Sequence, residues 1–499
     1  LTPAQPANIV LDDTHHDRLF IGGEWRSPAG SERIEVISPA IEETIASVAA
    51  GSEDDIDAAV RAARSALESG PWPEYTVGER IELLRHLSGE FERRKEEIAR
   101  LITLEMGCPI SLSRPMQAAA PKLWIDSAIE VAESYPWREV RTSATGTGLI
   151  LRRPVGVIAA VIPWNAPLST AMIKLAPALL AGCTVILKPA PETPLSAYLL
   201  AEMVQTAGFP PGVVNIVAAG RQASEHLVAH KGVDKVAFTG STTTGRRVAE
   251  LCAVDFRRIT LELGGKSAAI VLDDADLGLV SQSLRLGSFR NSGQICSLKT
   301  RIVVSRRKHD ELVQELIALV QTMPVGDPSD EATQIGPMVT ARQRDRVEGY
   351  IATGLREGAS IALGGGRPEH LPRGWYVEPT IFTGVQRDAT IAQEEIFGPV
   401  LSIIQADDEN DAVKVANSSI YGLSGAVFSA DPDHALAVAQ RLESGTVEIN
   451  GASAGQFSPM GGWKSSGLGR ELGPEGIDAF VETTSFGLPA ELNDVLAAS

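Results

Sequence analysis

Cys296, in "SGQICSLKT", follows an apolar helical run and precedes the strand-like "TRIVV". A lone thiol is either a small buried hydrophobe, as most free cysteines are, or a nucleophile. A thiolate that forms an acyl intermediate needs a base to activate the water that releases it, and a separate donor to hold the oxyanion. Glu262 in "LELGGKS" closes an apolar β run beside two glycines. It is either a solvated strand end or a partly desolvated base with a raised pKa. Asn165 in "PWNAP" is a candidate oxyanion donor or a turn asparagine between prolines. A fourth stretch, "FTGSTTTG" at 238–245, ends a predicted strand and opens a predicted helix. Gly240 and Gly245 would let a phosphate approach the backbone, with Ser241, Thr242 and the helix N-terminus as donors. Its spacing is not the GxGxxG dinucleotide fingerprint.

These residues need elements to position them. From about residue 149, short β-branched runs alternate with helical ones: "GVIAAVI", "LSTAMIKLAPALLAG", "CTVILKP", "SAYLLAEMVQTAG", "VVNIVAA", "SEHLVAHKG", "KVAFTG", "TTTGRRVAELCA" and "RITLELGG". Strict alternation implies βαβ units and a parallel sheet covered on both faces, the doubly wound nucleotide-binding pattern. Residues 53–135 are expected to be mainly amphipathic helices lying against that sheet. A second α/β series begins near Lys266 and runs to "GTVEIN". "PWREVRTSATGTGLILRR" is expected to form an exposed hairpin, and "AFVETTSFGL" a further strand. Neither has enough apolar partners to stand alone, and pairing with another subunit would supply them.

Composition narrows the function classes. The 499-residue chain is 44% hydrophobic and 22% charged, which excludes a disordered or fibrous protein. Its net charge of −18 would repel a phosphate backbone, so no nucleic-acid partner is expected. No stretch reaches the ~18 uninterrupted apolar residues of a membrane span, and the first twenty residues have no signal-peptide pattern, so no membrane association and a cytoplasmic location are expected. The four cysteines, Cys108, Cys183, Cys252 and Cys296, form neither a CxxC pair nor a Cys/His cluster. No disulfide framework and no metal site are expected.

Taken in order, "PWNAP", "LKPAPETP", "FTGSTTTG", "LELGGKS", "GQICS" and "EEIFGPV" resemble the motifs of the aldehyde dehydrogenase superfamily, and the resemblance extends from "LFIGGEW" to "SGLGRELGPEGIDAFVETTSF". It implies that Cys296 is the nucleophile, Glu262 the general base, and Asn165 an oxyanion donor together with the Cys296 backbone N–H. It places Lys174 and Glu471 on a proton path. It places Lys188 at the adenosine ribose, Ser241 at the pyrophosphate, and Glu395 with Phe397 at the nicotinamide ribose. Ile162, Pro163, Trp164, Gly220, Phe238, Gly240 and Leu263 complete the implied cofactor site. The implied cofactor is NAD, with NADP possible, and the implied partner is a small-molecule aldehyde.

The expected fold class is α/β: a doubly wound parallel-sheet cofactor domain (1–127 and 149–263), a second α/β catalytic domain (264–463), and a small β oligomerisation extension (128–148 and 480–499). A homodimer or homotetramer follows from the unpartnered strands. Two departures from the resembled pattern bear on specificity. Many relatives carry a glutamate three residues after the lysine of "KPA", where this chain has Pro191 and then Glu192. Where relatives often have aromatic residues in the substrate tunnel, this chain has Ala166 and Ile173, which implies a wider tunnel and aromatic or medium-chain aldehydes as substrates. The alternatives are a coenzyme A-acylating dehydrogenase, which commonly lacks the glutamate equivalent to Glu262, and a non-enzymatic protein built on the same fold.

Overall fold

The computed structural model describes residues 14–489. Its first sheet has eight strands, with a parallel centre of five in the spatial order Val214–Ile216, Thr184–Lys188, Val157–Val161, Lys235–Thr239, Arg258–Glu262. Taken along the chain, that order is 3-2-1-4-5. The direction of winding therefore reverses between Val157–Val161 and Lys235–Thr239, and the crevice at such a reversal is where doubly wound sheets bind ligands. Every residue of Val157–Val161 and of Thr184–Lys188 is buried, as expected of strands covered on both faces. The edges are antiparallel. Leu19–Ile21 and Glu24–Arg26 add to one side, and Gly467–Leu468 pairs with Leu261 and Glu262 on the other.

The second sheet has seven strands, in the order Ser360–Leu363, Thr380–Thr383, Val400–Ala406, Lys299–Ser305, Ser267–Val271, Ser424–Phe428, Thr446–Ile449. All neighbours are parallel except at the Ser360–Leu363 edge. The two strands at 360–383, and the hairpin of Arg33–Ser38 with Glu43–Ala49, were not anticipated from the sequence. The two at 360–383 are only four residues long, and each begins on a polar residue. The helices expected at 53–135 are present, and two of them start on reciprocal caps: Ser52 with Asp55 and Thr76 with Glu79.

The expected hairpin is Arg138–Ser143 with Gly146–Pro154, and Val481–Leu488 pairs with the latter along its whole length. The hairpin and the C-terminal strand thus partner each other within one chain, giving a three-stranded antiparallel sheet with two outer edges. Its central strand crosses the boundary expected at 148/149, and the helix Ala120–Ser134 crosses that at 127/128. Residues 1–13 and 490–499 of the expected segments lie outside the described residues. Cys108, Cys183 and Cys252 are buried packing residues, and all four cysteines are free. Among the described residues, no helix is long and apolar enough to cross a membrane.

Candidate active site

A cleft of about 690 Å³ opens at the winding reversal. Pro163, Trp164 and Asn165 follow the strand Val157–Val161, Gly240 and Ser241 follow Lys235–Thr239, and Leu263 follows Arg258–Glu262. Cys296, Glu395 and Phe397 face them from the second α/β unit. The ring of Trp164 meets that of Phe397 edge-on, with centroids 5.4 Å apart. Ser241 caps the helix Thr242–Ala253, its hydroxyl accepting from the Thr244 N–H at 3.2 Å, so the first N–H groups of that helix lie at the cleft.

The loop that carries Cys296 has an unusual backbone. Asn291, Ser292 and Gly293 all have positive φ, at 53°, 57° and 78°. Such conformations cost about 1–3 kcal/mol at each non-glycine residue and persist only where surroundings enforce them. Here Ser292 Oγ accepts from the Gly336 N–H at 2.9 Å. Gln294 donates to the Asn291 and Pro337 carbonyls and accepts from the Val339 N–H at 3.0 Å. Gly293 must be glycine, because a Cβ there would stand 2.1 Å from the Gly398 oxygen.

Asn165 is tied to this loop. Its side-chain Nδ2 donates to the Gln294 carbonyl at 2.8 Å, and its own backbone carbonyl accepts from Gln117 Nε2 at 2.9 Å and Asn291 Nδ2 at 3.2 Å. An amide carries two N–H bonds, and Gln294 takes one. Glu262 ends its strand between Thr239 and Gly467, is 4% exposed, and its Oε1 has no hydrogen-bond partner. Burial, reinforced by the negative charge of Glu471, raises its pKa well above the usual carboxylate range, against the pull of Lys174 and Arg470. Lys174 and Glu471 form a buried ion pair.

Cys296 is half-buried, and its thiol is pushed up to about 12, first by desolvation and then by Glu395 and Glu262, with Arg290 opposing. Glu395 accepts from the Gly265 N–H at 3.1 Å. Burial lifts it to about 7, against that N–H, Arg346 and Lys266.

Four expected cofactor residues are not among those that line the cleft. The buried Ile162 donates its N–H to the Lys188 carbonyl at 3.2 Å. Lys188 is buried at the end of its strand, and desolvation lowers it to about 8. Phe238 is buried beneath Gly240, and Gly220 caps the helix Arg221–Ala229. Pro191 is exposed, and Glu192 pairs with Arg342 at 3.4 Å. Ile173 does not line the cleft. It borders a separate space of about 290 Å³ together with Trp124, Pro177 and Leu472.

Sequence reasoning gave no role to Gln294, although it lies within the quoted "GQICS". It also missed Thr239, Gly264, Gln343 and Arg346 in the cleft lining. Gln343 and Arg346 sit on the helix Ala341–Arg356, where nothing separates them from an ordinary solvated face. Among the described residues, one cluster of metal-ligating type, Asp57 with His226 and His230, lies elsewhere. His230 Nδ1 accepts from the Gly232 N–H at 2.8 Å, so in the neutral ring Nε2 carries the proton and faces Asp57 as a donor.

A doubly wound sheet with a cleft at its switch point, faced by a thiol on a constrained loop, has the architecture of a dinucleotide-dependent enzyme. Residues 25–486 match the aldehyde dehydrogenase family. Geranial dehydrogenase of Castellaniella defragrans is 46% identical over 466 residues, 93% of this chain and 97% of that protein. The crystal structure of Mycobacterium tuberculosis aldehyde dehydrogenase complexed with NAD+ superimposes with a TM-score of 0.93 at 43% identity, covering 95% of this chain and 98% of that one. A mutant of aldehyde dehydrogenase C from Pseudomonas syringae, complexed with NAD+ and octanal, gives 0.93 at 39% identity over 96% and 99%. The chain belongs to the aldehyde dehydrogenase family and is an NAD(P)-dependent aldehyde dehydrogenase.

Proposed function

We propose that the chain oxidises medium-chain or aromatic aldehydes to carboxylic acids, with Cys296 as nucleophile, Asn165 as oxyanion donor and Glu262 as the base for hydrolysis. The observation that carries this reading is the tether between Asn165 and the Cys296 loop, with the unpartnered Glu262 carboxyl buried near the thiol.

The Cys296 sulfur, once deprotonated, attacks the aldehyde carbon, and the resulting oxyanion accepts from the free Asn165 N–H and the Cys296 backbone N–H. Collapse of this thiohemiacetal expels a hydride and leaves a thioester on Cys296. NAD, when bound, supplies the hydride acceptor. Glu262, its pKa raised by burial, takes a proton from water, whose hydroxide attacks the thioester and releases the carboxylic acid and the Cys296 thiolate. The buried Lys174–Glu471 pair beside Glu262 offers that proton a way out. The presence of Glu262 favours water over coenzyme A as the acyl acceptor.

The cleft fits the dinucleotide on its own features. Ser241 and the N-terminus of its helix would hold the pyrophosphate, Glu395 and Phe397 the nicotinamide ribose, and Lys188 the adenosine ribose. Ile162, Pro163, Trp164, Gly220, Phe238, Gly240 and Leu263 would shape the walls. With Pro191 in place of a ribose-binding carboxylate and Glu192 engaged by Arg342, NAD is preferred and NADP tolerated. The exposed outer edges of the three-stranded sheet support a homodimer or homotetramer, and the four free cysteines a reducing cytoplasmic setting. The division into a cofactor part (1–127 and 149–263), a catalytic part (264–463) and oligomerisation segments (128–148 and 480–499) belongs to the same reading.

Relatives support the substrate class, since one is named for geranial and another binds octanal. Octanal or benzaldehyde should exceed acetaldehyde in kcat/KM by about tenfold or more. A preference for acetaldehyde would refute the substrate reading, and absence of NADP turnover the relaxed cofactor choice. Sedimentation of a monomer alone would refute the oligomer.

A further inference from the structure

A second cavity, of about 1010 Å³, borders Ser297 and Leu298, the residues immediately after Cys296. If the dinucleotide occupies the first cleft, as proposed above, the aldehyde must reach the thiol from another side, and this cavity lies on the chain next to it. Leu279 and Leu286, both exposed, contribute apolar wall from the helix Leu277–Phe289. That helix ends at Phe289, and its C-cap, Arg290, also lines the cavity.

Arg290 makes no hydrogen bond or ion pair among the described residues, and its buried Nε has no partner. Leaving a guanidinium N–H buried and unpaired is costly unless something else accepts from it. The one carboxylate in the cavity wall, Glu448, is already ion-paired with the buried Lys299. Two cations against one carboxylate leave one net positive charge among these three residues, in a chain whose net charge is −18. Arg290 also lies close enough to Cys296 for each to affect the ionisation of the other. A planar fork of N–H donors with no internal acceptor is matched by a carboxylate, which it can grip through two parallel bonds.

We propose that Arg290 is a specificity residue of the aldehyde site, and that the favoured substrates are oxo acids: aldehydes that carry a carboxylate a few carbons from the aldehyde carbon. The apolar wall takes the methylene chain, Arg290 takes the carboxylate, and Cys296 receives the aldehyde. This deepens the medium-chain reading above and rests on it.

The test compares 4-oxobutanoate, 6-oxohexanoate and 8-oxooctanoate with butanal, hexanal and octanal under NAD. In the wild type, at least one oxo acid should exceed its matched alkanal in kcat/KM by about tenfold or more, as a site built around a polar group discriminates strongly against analogues lacking it. Arg290→Met should bring that ratio to about one, chiefly through KM, while Arg290→Lys, with its charge but not its fork, should keep part of it. Cofactor titration of each variant reports whether it is folded. Independently of any variant, adipate should slow alkylation of Cys296 in the wild type where 1,6-hexanediol does not. The proposal is overturned if no oxo acid is preferred, if the preference survives Arg290→Met, or if adipate gives no protection. Oxidation of the alkanals without those effects leaves the aldehyde reading standing and removes only this one. Failure to oxidise all six compounds removes both.

Discussion

The cleft lined by Cys296 and the cavity bordered by its chain neighbours Ser297 and Leu298 are built by different means. On the cofactor side one wall is chain just beyond strand ends: Pro163 and Trp164 after Val157–Val161, Gly240 and Ser241 after Lys235–Thr239, Leu263 and Gly264 after Arg258–Glu262. Sheet register fixes their positions, and backbone N–H groups supply much of their chemistry. On the other side, the walls are side chains drawn from a helix face, a loop and a sheet edge, with Leu279 and Glu448 far apart in sequence. A register-fixed site constrains one ligand shared by many enzymes. A site of side chains can change one residue at a time, and specificity resides there.

The largest effect expected is that of losing the nucleophile itself. Cys296→Ala should lower turnover on the order of 10⁶-fold, the scale of removing a covalent nucleophile, while fluorescence titration still shows cofactor binding. Near-normal turnover would remove Cys296 from the chemistry. Asn165→Ala should lower kcat by ~10²–10³-fold, the usual cost of one oxyanion donor. A loss below about tenfold would mean that the Cys296 N–H suffices and that Asn165 chiefly braces the loop through Gln294.

A smaller effect sharpens the electrostatics. With its thiol pushed up to about 12, cofactor-free Cys296 is protonated at neutral pH. Its thiolate fraction, and so its alkylation rate by iodoacetamide, should rise about tenfold per pH unit between pH 7 and 10. Removing negative charge lowers a thiol pKa, so Glu395→Gln should speed alkylation a few-fold at fixed pH. A plateau near pH 8 would contradict the raised pKa.

The contrast also explains what was legible in the sequence. The five central strands of the first sheet were foreseen because each is a β-branched run bounded by a helix, and a strand end followed by a glycine or asparagine points to a site. Glu262 and Asn165 were each ambiguous alone, and became site residues only through the family resemblance. Ile173 borders a small space together with Trp124, a neighbour remote in sequence that no local pattern announces. Arg290 sits six residues before Cys296, yet on its own it reads as a charge at a helix end. Only the cavity, with Glu448 already held by Lys299, gives it significance. The short strands at 360–383 escaped notice because each is only four residues long and begins on a polar residue, too little for a pattern to show.

The central claim is that Cys296 carries the acyl group and Glu262 releases it. Glu262→Gln, mixed with octanal and NAD and followed by rapid absorbance and intact-protein mass spectrometry, tests it most directly. The account predicts a burst of about one reduced cofactor per active site, followed by a stall with an octanoyl adduct on Cys296. Steady turnover at the wild-type rate, or a burst with no adduct on that cysteine, would contradict it.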